Sequence, residues 1–278
     1  MIAIIGVGQL GQELLSACDR LGLACRGLTH DDIELTEPSD FQFQIPSEAT
    51  TVINTAAFHN LEECEKDQWL AWRVNSHGSA ALASYCRWQK KKYVFVSSDY
   101  CGNCTPTDAS SFPLSVYAKT KLAGELAALS ICPDALVVRL GTLYGVAGCA
   151  GKPGRGNLID TIVEKVKKQE PFTLPDYTSV PITSAKRAAE RILKNLDKSG
   201  VWYGTDPTAN TSHYKLGQRI ATYLHLPDKI MAVSKDPNDT LRPNTASVGQ
   251  LLPWTTCPAN ASSDYLREYL VEKGHIDG

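Results

Sequence analysis

The sequence predicts an α/β fold, a doubly wound parallel sheet with a smaller C-terminal lobe, and three observations carry that prediction. Short apolar runs alternate with amphipathic stretches, the first run ends in a glycine-rich turn, and the alternation weakens after Gly145. Strands covered on both faces read as continuous apolar runs, and residues 2–5, 23–28, 51–53, 93–96 and 136–140 fit that description. The amphipathic stretches between them complete a strand-helix rhythm.

Each element has its own local reason. The first run passes through Gly6-Val7-Gly8-Gln9-Leu10-Gly11 into a helix that places Leu10, Leu14, Ala17, Cys18 and Leu21 on one face. A second helix is predicted over residues 68–89, and a third carries Tyr117 and Lys121 one turn apart. After a glycine-rich, basic stretch at residues 148–156, helices are predicted over 158–168 and 184–196, with a strand over 200–203. The predicted division is therefore a sheet domain at residues 1–147 and a lobe at 148–278, with 184–204 returning to the sheet domain. A chain of 278 residues is long enough to bury a substantial core in such an arrangement.

Composition narrows the function classes. A formal net charge of -2 gives no overall basic field to draw in a nucleic acid polymer or an anionic membrane. The first residues enter a strand with no basic, apolar and small-residue succession of a leader, and no later run is long and apolar enough to span a bilayer. Nine cysteines, an odd number at irregular spacing, predict reduced thiols and a cytoplasmic location.

The glycine turn is the first candidate site. Gly6, Gly8 and Gly11 at the end of a strand and the start of a helix form the fingerprint of a dinucleotide-binding Rossmann domain. The glycines permit a tight turn and close approach of backbone to pyrophosphate, while Gln9 and Leu10 open the helix whose N-terminal amides face the anion. At the tip of the second strand stand Thr29, His30, Asp31 and Asp32. If the strand ends at Leu28, Thr29 and His30 meet the adenosine ribose and NADP(H) is accommodated; if it runs two residues further, Asp31 favours NAD(H). Ala56 and Ala57, after the third strand, are small enough for a cofactor's adenine side to pass close. Asn75 is a polar residue in a helical pattern, able to brace the neighbouring strand or to stand exposed.

The second candidate site supplies proton chemistry. A carbonyl accepting hydride needs its oxygen polarised and then protonated. Tyr117 can supply the proton, Ser98 at the end of the fourth run can donate a hydrogen bond to that oxygen, and Lys121 is spaced to lower the phenol pKa and to hold a ribose hydroxyl. Cys101 and Cys104 form a C-x-x-C pair without a matching second pair, so no metal site is predicted. No G-x-S-x-G or H-E-x-x-H run supports hydrolysis.

In these motifs the chain resembles the extended short-chain dehydrogenase/reductases, and within them the dTDP-4-dehydrorhamnose reductase group. The likeness rests on residues 6–14, 52–57, the acidic stretch Glu62-Glu63-Cys64-Glu65, Val74-Asn75, Val96-Ser97-Ser98-Asp99-Tyr100, residues 113–125, Val137-Val138-Arg139, Leu143-Tyr144-Gly145, Asn157-Leu158 and Arg242-Pro243. The resemblance implies that Ser98, Tyr117 and Lys121 are the catalytic triad and that Gly6, Gly8, Gln9, Leu10 and Gly11 hold the cofactor. It implies a nucleotide-sugar substrate in the later lobe, with Asp99, Tyr100 and Thr142 nearby, and a homodimer as a candidate assembly. Arg155, Asn157 and Arg242 are candidates to meet the diphosphate, since guanidinium forks suit phosphate oxygens. The chain departs from the group's pattern at Cys101-Gly102, where Val-Phe is usual, and at Thr142, where Trp is usual. Of the group's Asp-Gln-x-Gly-x-Pro-Thr run only Asp176 and Pro181 are retained. Two other activities share this pattern: epimerases or dehydratases of nucleotide sugars, and the non-catalytic regulatory subunit of methionine adenosyltransferase.

Overall fold

The computed structural model describes residues 1–102, 115–146, 157–176, 180–204, 210–234 and 264–278. In chain order the elements are β1 (Ile2–Ile5), α1 (Gln9–Arg20), β2 (Cys25–Leu28), α2 (Phe41–Gln44), β3 (Thr51–Asn54), α3 (Leu61–Lys66), α4 (Gln68–Trp72), α5 (Ser79–Trp88) and β4 (Lys92–Ser98). They continue with α6 (Val116–Ile131), β5 (Leu136–Leu140), β6 (Thr142–Tyr144), α7 (Leu158–Lys168), β7 (Phe172–Pro175), β8 (Val180–Ser184) and α8 (Ala185–Lys194). The last are β9 (Gly200–Tyr203), β10 (Asn210–Thr211), α9 (His213–Tyr223), β11 (Ile230–Val233) and α10 (Tyr265–Glu272).

Six strands form one parallel sheet in the order β2-β1-β3-β4-β5-β9. Both faces are covered, which is why its strands lack the polar alternation of a half-exposed sheet. Ile2, Ile4, Val94, Val96, Leu136 and Val138 pack with Leu10, Leu14 and Ala17 of α1 and Ala188 and Ile192 of α8. Their neighbours in sequence, Ala3, Ile5, Tyr93, Phe95 and Val137, pack on the other face with Leu82, Ala83 and Cys86 of α5 and Ala128 of α6. The chain leaves β1 for β2 on one side and returns to β3 on the other, so the strand order reverses between β1 and β3. A reversal of this kind opens a crevice at the carboxyl ends of the strands.

Three differences from the sequence reading have local causes. β2 begins at Cys25 because α1 closes through Gly22, whose φ is +64°, with the Leu23 amide bonded back to the Cys18 carbonyl. Leu21 is left outside the helix and half exposed. The helix over 68–89 is α4 and α5 joined by a π-helical stretch, Arg73–Gly78, with Asn75 inside it.

The remaining strands build smaller sheets: β6 lies parallel to β8 with β10 antiparallel on the far side, and β7 lies parallel to β11. A third cluster of buried side chains unites them with α7, α9 and α10, among them Tyr144, Ile162, Leu174, Ile220 and Leu270. β9 and α8 lie in the large sheet and on its face, between elements of the smaller lobe in sequence.

Candidate active site

Four loops gather at the carboxyl edge of the large sheet. The first follows β1. Gly6 has φ +88°, and a Cβ there would stand 2.7 Å from the Ala56 amide nitrogen; one on Gly11 would stand 2.2 Å from the Gly6 carbonyl oxygen. Both glycines are therefore required for α1 and the turn after β3 to approach so closely, whereas Gly8 faces open space. Thr55 pins this crossing with its hydroxyl, which donates to the carbonyls of Ile5 and Gly6. Gly8 is the N-cap of α1 and caps it with no side chain, so the first-turn amides of the helix remain available to an anion. Leu10 is buried against the sheet, so it can offer a ligand only its backbone. Gln9 donates its side-chain amide to the Gly145 carbonyl at 3.4 Å.

The second loop follows β2, which ends at Leu28. Thr29 and His30 come next, exposed at the strand tip, with Asp31 one place further on. The Asp32 carboxylate accepts from the Thr29 hydroxyl at 2.7 Å and its amide at 2.8 Å, which holds its pKa below the usual value. His30 lies 3.3 Å from Glu34 one turn on.

The third loop, after β3, is braced by Asn75. Its amide spans Phe58, accepting from the Phe58 nitrogen at 2.8 Å and donating to the Phe58 oxygen at 2.9 Å, and it donates to the Thr120 hydroxyl at 3.0 Å. The bracing goes to the loop beyond Ala56 and Ala57 and to α6, not to the neighbouring strand, and Asn75 is buried rather than exposed.

The fourth loop and α6 bring Ser98 and Tyr117 together. Ser98 caps a 3-10 turn, Asp99–Cys101: its hydroxyl accepts from the Tyr100 amide and donates to Asp99, each at 3.2 Å, and it lies near enough to the Tyr117 phenol to favour its ionised form. α6 begins one residue before Tyr117, fixed by the Ser115 hydroxyl on the Ala118 amide and by the Glu65 carboxylate, which accepts from the Val116 amide at 2.7 Å. Tyr100 meets the Tyr117 ring edge-on with centroids 6.2 Å apart. Burial pushes the Tyr117 pKa up, with the Cys101 and Asp99 side chains adding to the rise and the Ser98 hydroxyl opposing it.

Lys121 departs from its expected role as tuner. It is 2% exposed, and its ammonium donates to the Val96 carbonyl at 2.7 Å and lies 4.2 Å from the centroid of the Phe95 ring. Burial pulls its pKa down to about 8. Helical spacing puts the two residues on one face, but the long lysine stem carries the charge to the Val96 carbonyl in β4, and the Tyr117 pKa lies above its ordinary value rather than below it.

Asn157 is also redirected. Its side-chain oxygen accepts from the Ile159 and Asp160 amides as the N-cap of α7, and its nitrogen donates to the Gly145 carbonyl at 3.1 Å and to Tyr269 at 2.7 Å. All four directions of the amide are thus used inside the protein, and none is left for a diphosphate. Thr142 is half-buried in β6. Arg155, Arg242, Cys104 and the 148–156 stretch lie outside the described residues. Among the described residues no three His, Cys, Asp or Glu side chains gather as a metal site, and no helix is long and apolar enough to cross a membrane.

Sequence reasoning assigned no role to Glu125, Arg139 or Tyr203. Arg139 is 5% exposed and makes a bidentate pair with Glu125, with Nε–Oε1 at 2.8 Å and Nη2–Oε2 at 2.6 Å. Its third nitrogen donates to the Gly102 carbonyl at 2.6 Å and the Tyr203 hydroxyl at 2.7 Å. An arginine in the middle of the apolar run Leu-Val-Val-Arg-Leu was the available signal, because a buried charge demands a partner.

Residues 1–250 match the family described as RmlD substrate binding domain. The chain is 34% identical over 155 residues to a dTDP-4-dehydrorhamnose reductase of Mycobacterium tuberculosis, a match covering 52% of this chain and 50% of the relative, about half its length. It is 28% identical over 254 residues to a dTDP-4-keto-6-deoxy-D-glucose reductase of Streptomyces niveus, covering 87% and 85% of the two chains. Among solved structures it is similar to a dTDP-4-dehydrorhamnose reductase of Bacillus anthracis in complex with NADP, with a TM-score of 0.73, 22% identity and 84% of each chain covered.

Proposed function

The chain belongs to the family of the RmlD substrate binding domain, and from that premise we propose that it is an NAD(P)H-dependent reductase of a nucleotide-activated keto sugar, of the dTDP-4-dehydrorhamnose type. The observation that carries the reading is the neighbourhood of Ser98 and Tyr117, with Tyr100 edge-on to the phenol ring, at the same sheet edge as the glycine turn of β1. The names of the mycobacterial and Streptomyces relatives supply the substrate class.

The residues present fit a dinucleotide. Gly6, Gly8 and Gly11 with the backbone of Gln9 and Leu10 would hold its pyrophosphate, Ala56 and Ala57 its adenine side, and Tyr117 and Lys121 the ribose next to the reacting ring. β2 ends at Leu28, so Thr29 and His30 would be the residues next to the adenosine ribose, which supports NADP(H), with NAD(H) as the alternative. When bound, the reduced nicotinamide supplies the hydride for the ketone carbon.

The chain's own groups handle the oxygen. With its pKa raised by burial, Tyr117 is fully protonated at neutral pH, the form that reduction requires. Its hydroxyl gives the proton to the substrate oxygen, and Ser98 turns its hydroxyl from Asp99 to the same oxygen as charge develops there. The phenolate left behind is stabilised by the nearby Ser98 hydroxyl, while Lys121, turned toward Val96, is left to hold the ribose. Asp99, Tyr100 and Thr142 stand around this point, with a sugar ring as their proposed contact. The reading also carries a cytoplasmic location and a homodimer, the latter checked by sedimentation.

The test is NADPH and NADH oxidation with dTDP-4-keto-6-deoxy sugars. Tyr117→Phe should lower kcat on the order of 10²- to 10⁴-fold while cofactor binding persists. An unchanged rate in that variant would remove Tyr117 as the acid.

A further inference from the structure

Tyr117, Lys121 and Glu125 repeat every four residues on one face of α6, yet only the first two have a place in the reaction proposed above. Glu125 points instead into a sealed cluster beneath the Ser98 turn. Parallel register sets Ser97 of β4 beside Arg139 of β5, and Arg139 beside Tyr203 of β9, so one rung across three strands presents these side chains to α6. The guanidinium grips Glu125 on one side and the Gly102 carbonyl on the other. The Tyr203 hydroxyl, which accepts from Arg139, also donates to that carbonyl at 3.2 Å. Gly102 closes the turn that Ser98 opens, and its φ of +63° is a conformation reserved for glycine.

The geometry points to Glu125, Arg139 and Tyr203 as positioning residues that fix the distance between the Ser98 hydroxyl and the Tyr117 phenol. Helix α6 carries the phenol and the Asp99–Cys101 turn carries the serine, and the two are covalently remote. The cluster joins them through one guanidinium: Glu125 anchors the helix end of the link and Gly102 the turn end. Two charges that neutralise each other in a fork, with remaining donors satisfied by a carbonyl and a phenol, make a rigid strut rather than a flexible tether. The inference rests on the reading of Ser98 and Tyr117 as the reacting pair.

Tyr203→Phe removes one hydroxyl and keeps the volume. It should fold, leave KM for the sugar nucleotide and the NADPH dissociation constant at wild-type values, and lower kcat about 10-fold, since small misplacements of reacting groups are costly. Hydrogen exchange followed by mass spectrometry should show faster exchange in the peptide holding residues 98–102 and unchanged exchange in α9. The double variant Glu125→Leu/Arg139→Met removes both charges together, so it should melt near the wild type yet retain the lowered kcat. A wild-type kcat in either variant, or a loss that follows stability alone, overturns the inference. Exchange is read without substrate: if the wild type reduces no keto sugar while Tyr203→Phe loosens residues 98–102, the functional reading fails and the strut stands, and if those residues are not loosened the strut falls.

Discussion

Two buried polar networks flank the crevice, and they are built on opposite terms. The strut under Ser98 is an ion pair whose side chains are 6% and 2% exposed. The network under Gly145 is a hydrogen-bonded chain: Gln9 and Asn157 converge on the Gly145 carbonyl, Asn157 passes to Tyr269, and Tyr269 donates to Asp160 at 2.6 Å. Its carboxylate, Asp160, is 10% exposed and faces the rim, where Lys273 at 3.6 Å and His275 at 3.7 Å have side chains 26% and 20% exposed. The first joins two parts of the large sheet's edge; the second joins the glycine turn after β1 to α7 and α10. Both members of the ion pair are dry in the first network, whereas in the second the carboxylate's basic partners reach toward water.

Breaking the strut should have the largest effect. Glu125→Ala leaves the Arg139 guanidinium buried without its counter-charge, a loss on the order of 3–5 kcal/mol. Urea unfolding should show a midpoint far below the wild type's, and a midpoint shift within error would mean that water reaches Arg139 freely.

Lys121 sharpens the same side of the comparison through pH. Its pKa lies at about 8 in the folded chain against an ordinary 10.5. Between those values the unfolded chain holds the proton and the folded chain has released it, so stability rises with pH across that window. The full effect is on the order of 3 kcal/mol. Lys121→Met has no such term; relative to the wild type, its stability should fall steadily from pH 8 to 10. Parallel unfolding curves at every pH would show that the ammonium is solvated.

On the other side, Asn157→Ala removes the α7 cap and both bonds to Gly145 and Tyr269, a loss of roughly 2 kcal/mol. Thermal melting should register it, and NADPH affinity should weaken as well because the Gly145 carbonyl then holds Gln9 alone. If melting drops and affinity does not, the network supports α7 and α10 without reaching the glycine turn.

These contrasts also mark where the sequence was legible. Strands buried on both faces leave uninterrupted apolar runs, and the glycine turn leaves a pattern of its own, so the large sheet and the residues at its edge could be read in order. Side-chain reach could not be read. Four-residue spacing places Tyr117 and Lys121 on one face, but a lysine stem extends far enough to bond Val96, a carbonyl 25 residues away. Asn157 precedes an apolar-periodic helix, the position of an N-cap, a role the sequence reading passes over in setting it beside Arg155 and Arg242 as a candidate diphosphate contact. Pairing in the smaller lobe was hidden for a different reason: β6 has three residues, and its partner β8 lies some forty positions on. So short a strand carries too few residues to declare a period.

The smallest expected effect tests the rim of the second network. Burial and the neighbouring Lys167 hold the His275 pKa below its ordinary 6.5, while Asp160 works in the opposite sense. A histidine that resists protonation when folded binds protons more readily unfolded, so it costs stability as pH falls through 6.5 toward the lowered value. The wild type should therefore lose a fraction of a kcal/mol between pH 7 and 5 that His275→Gln does not lose, since groups this near the surface are screened by solvent. Lys273, Lys167 and Asp160 face the same imidazole and remain in both proteins, so the difference between the two melting series isolates His275. Identical series would place the ring in free exchange with water and detach it from Asp160. A divergence of several kcal/mol would show the reverse, that the rim is as dry as the strut, and the distinction between the two networks would vanish.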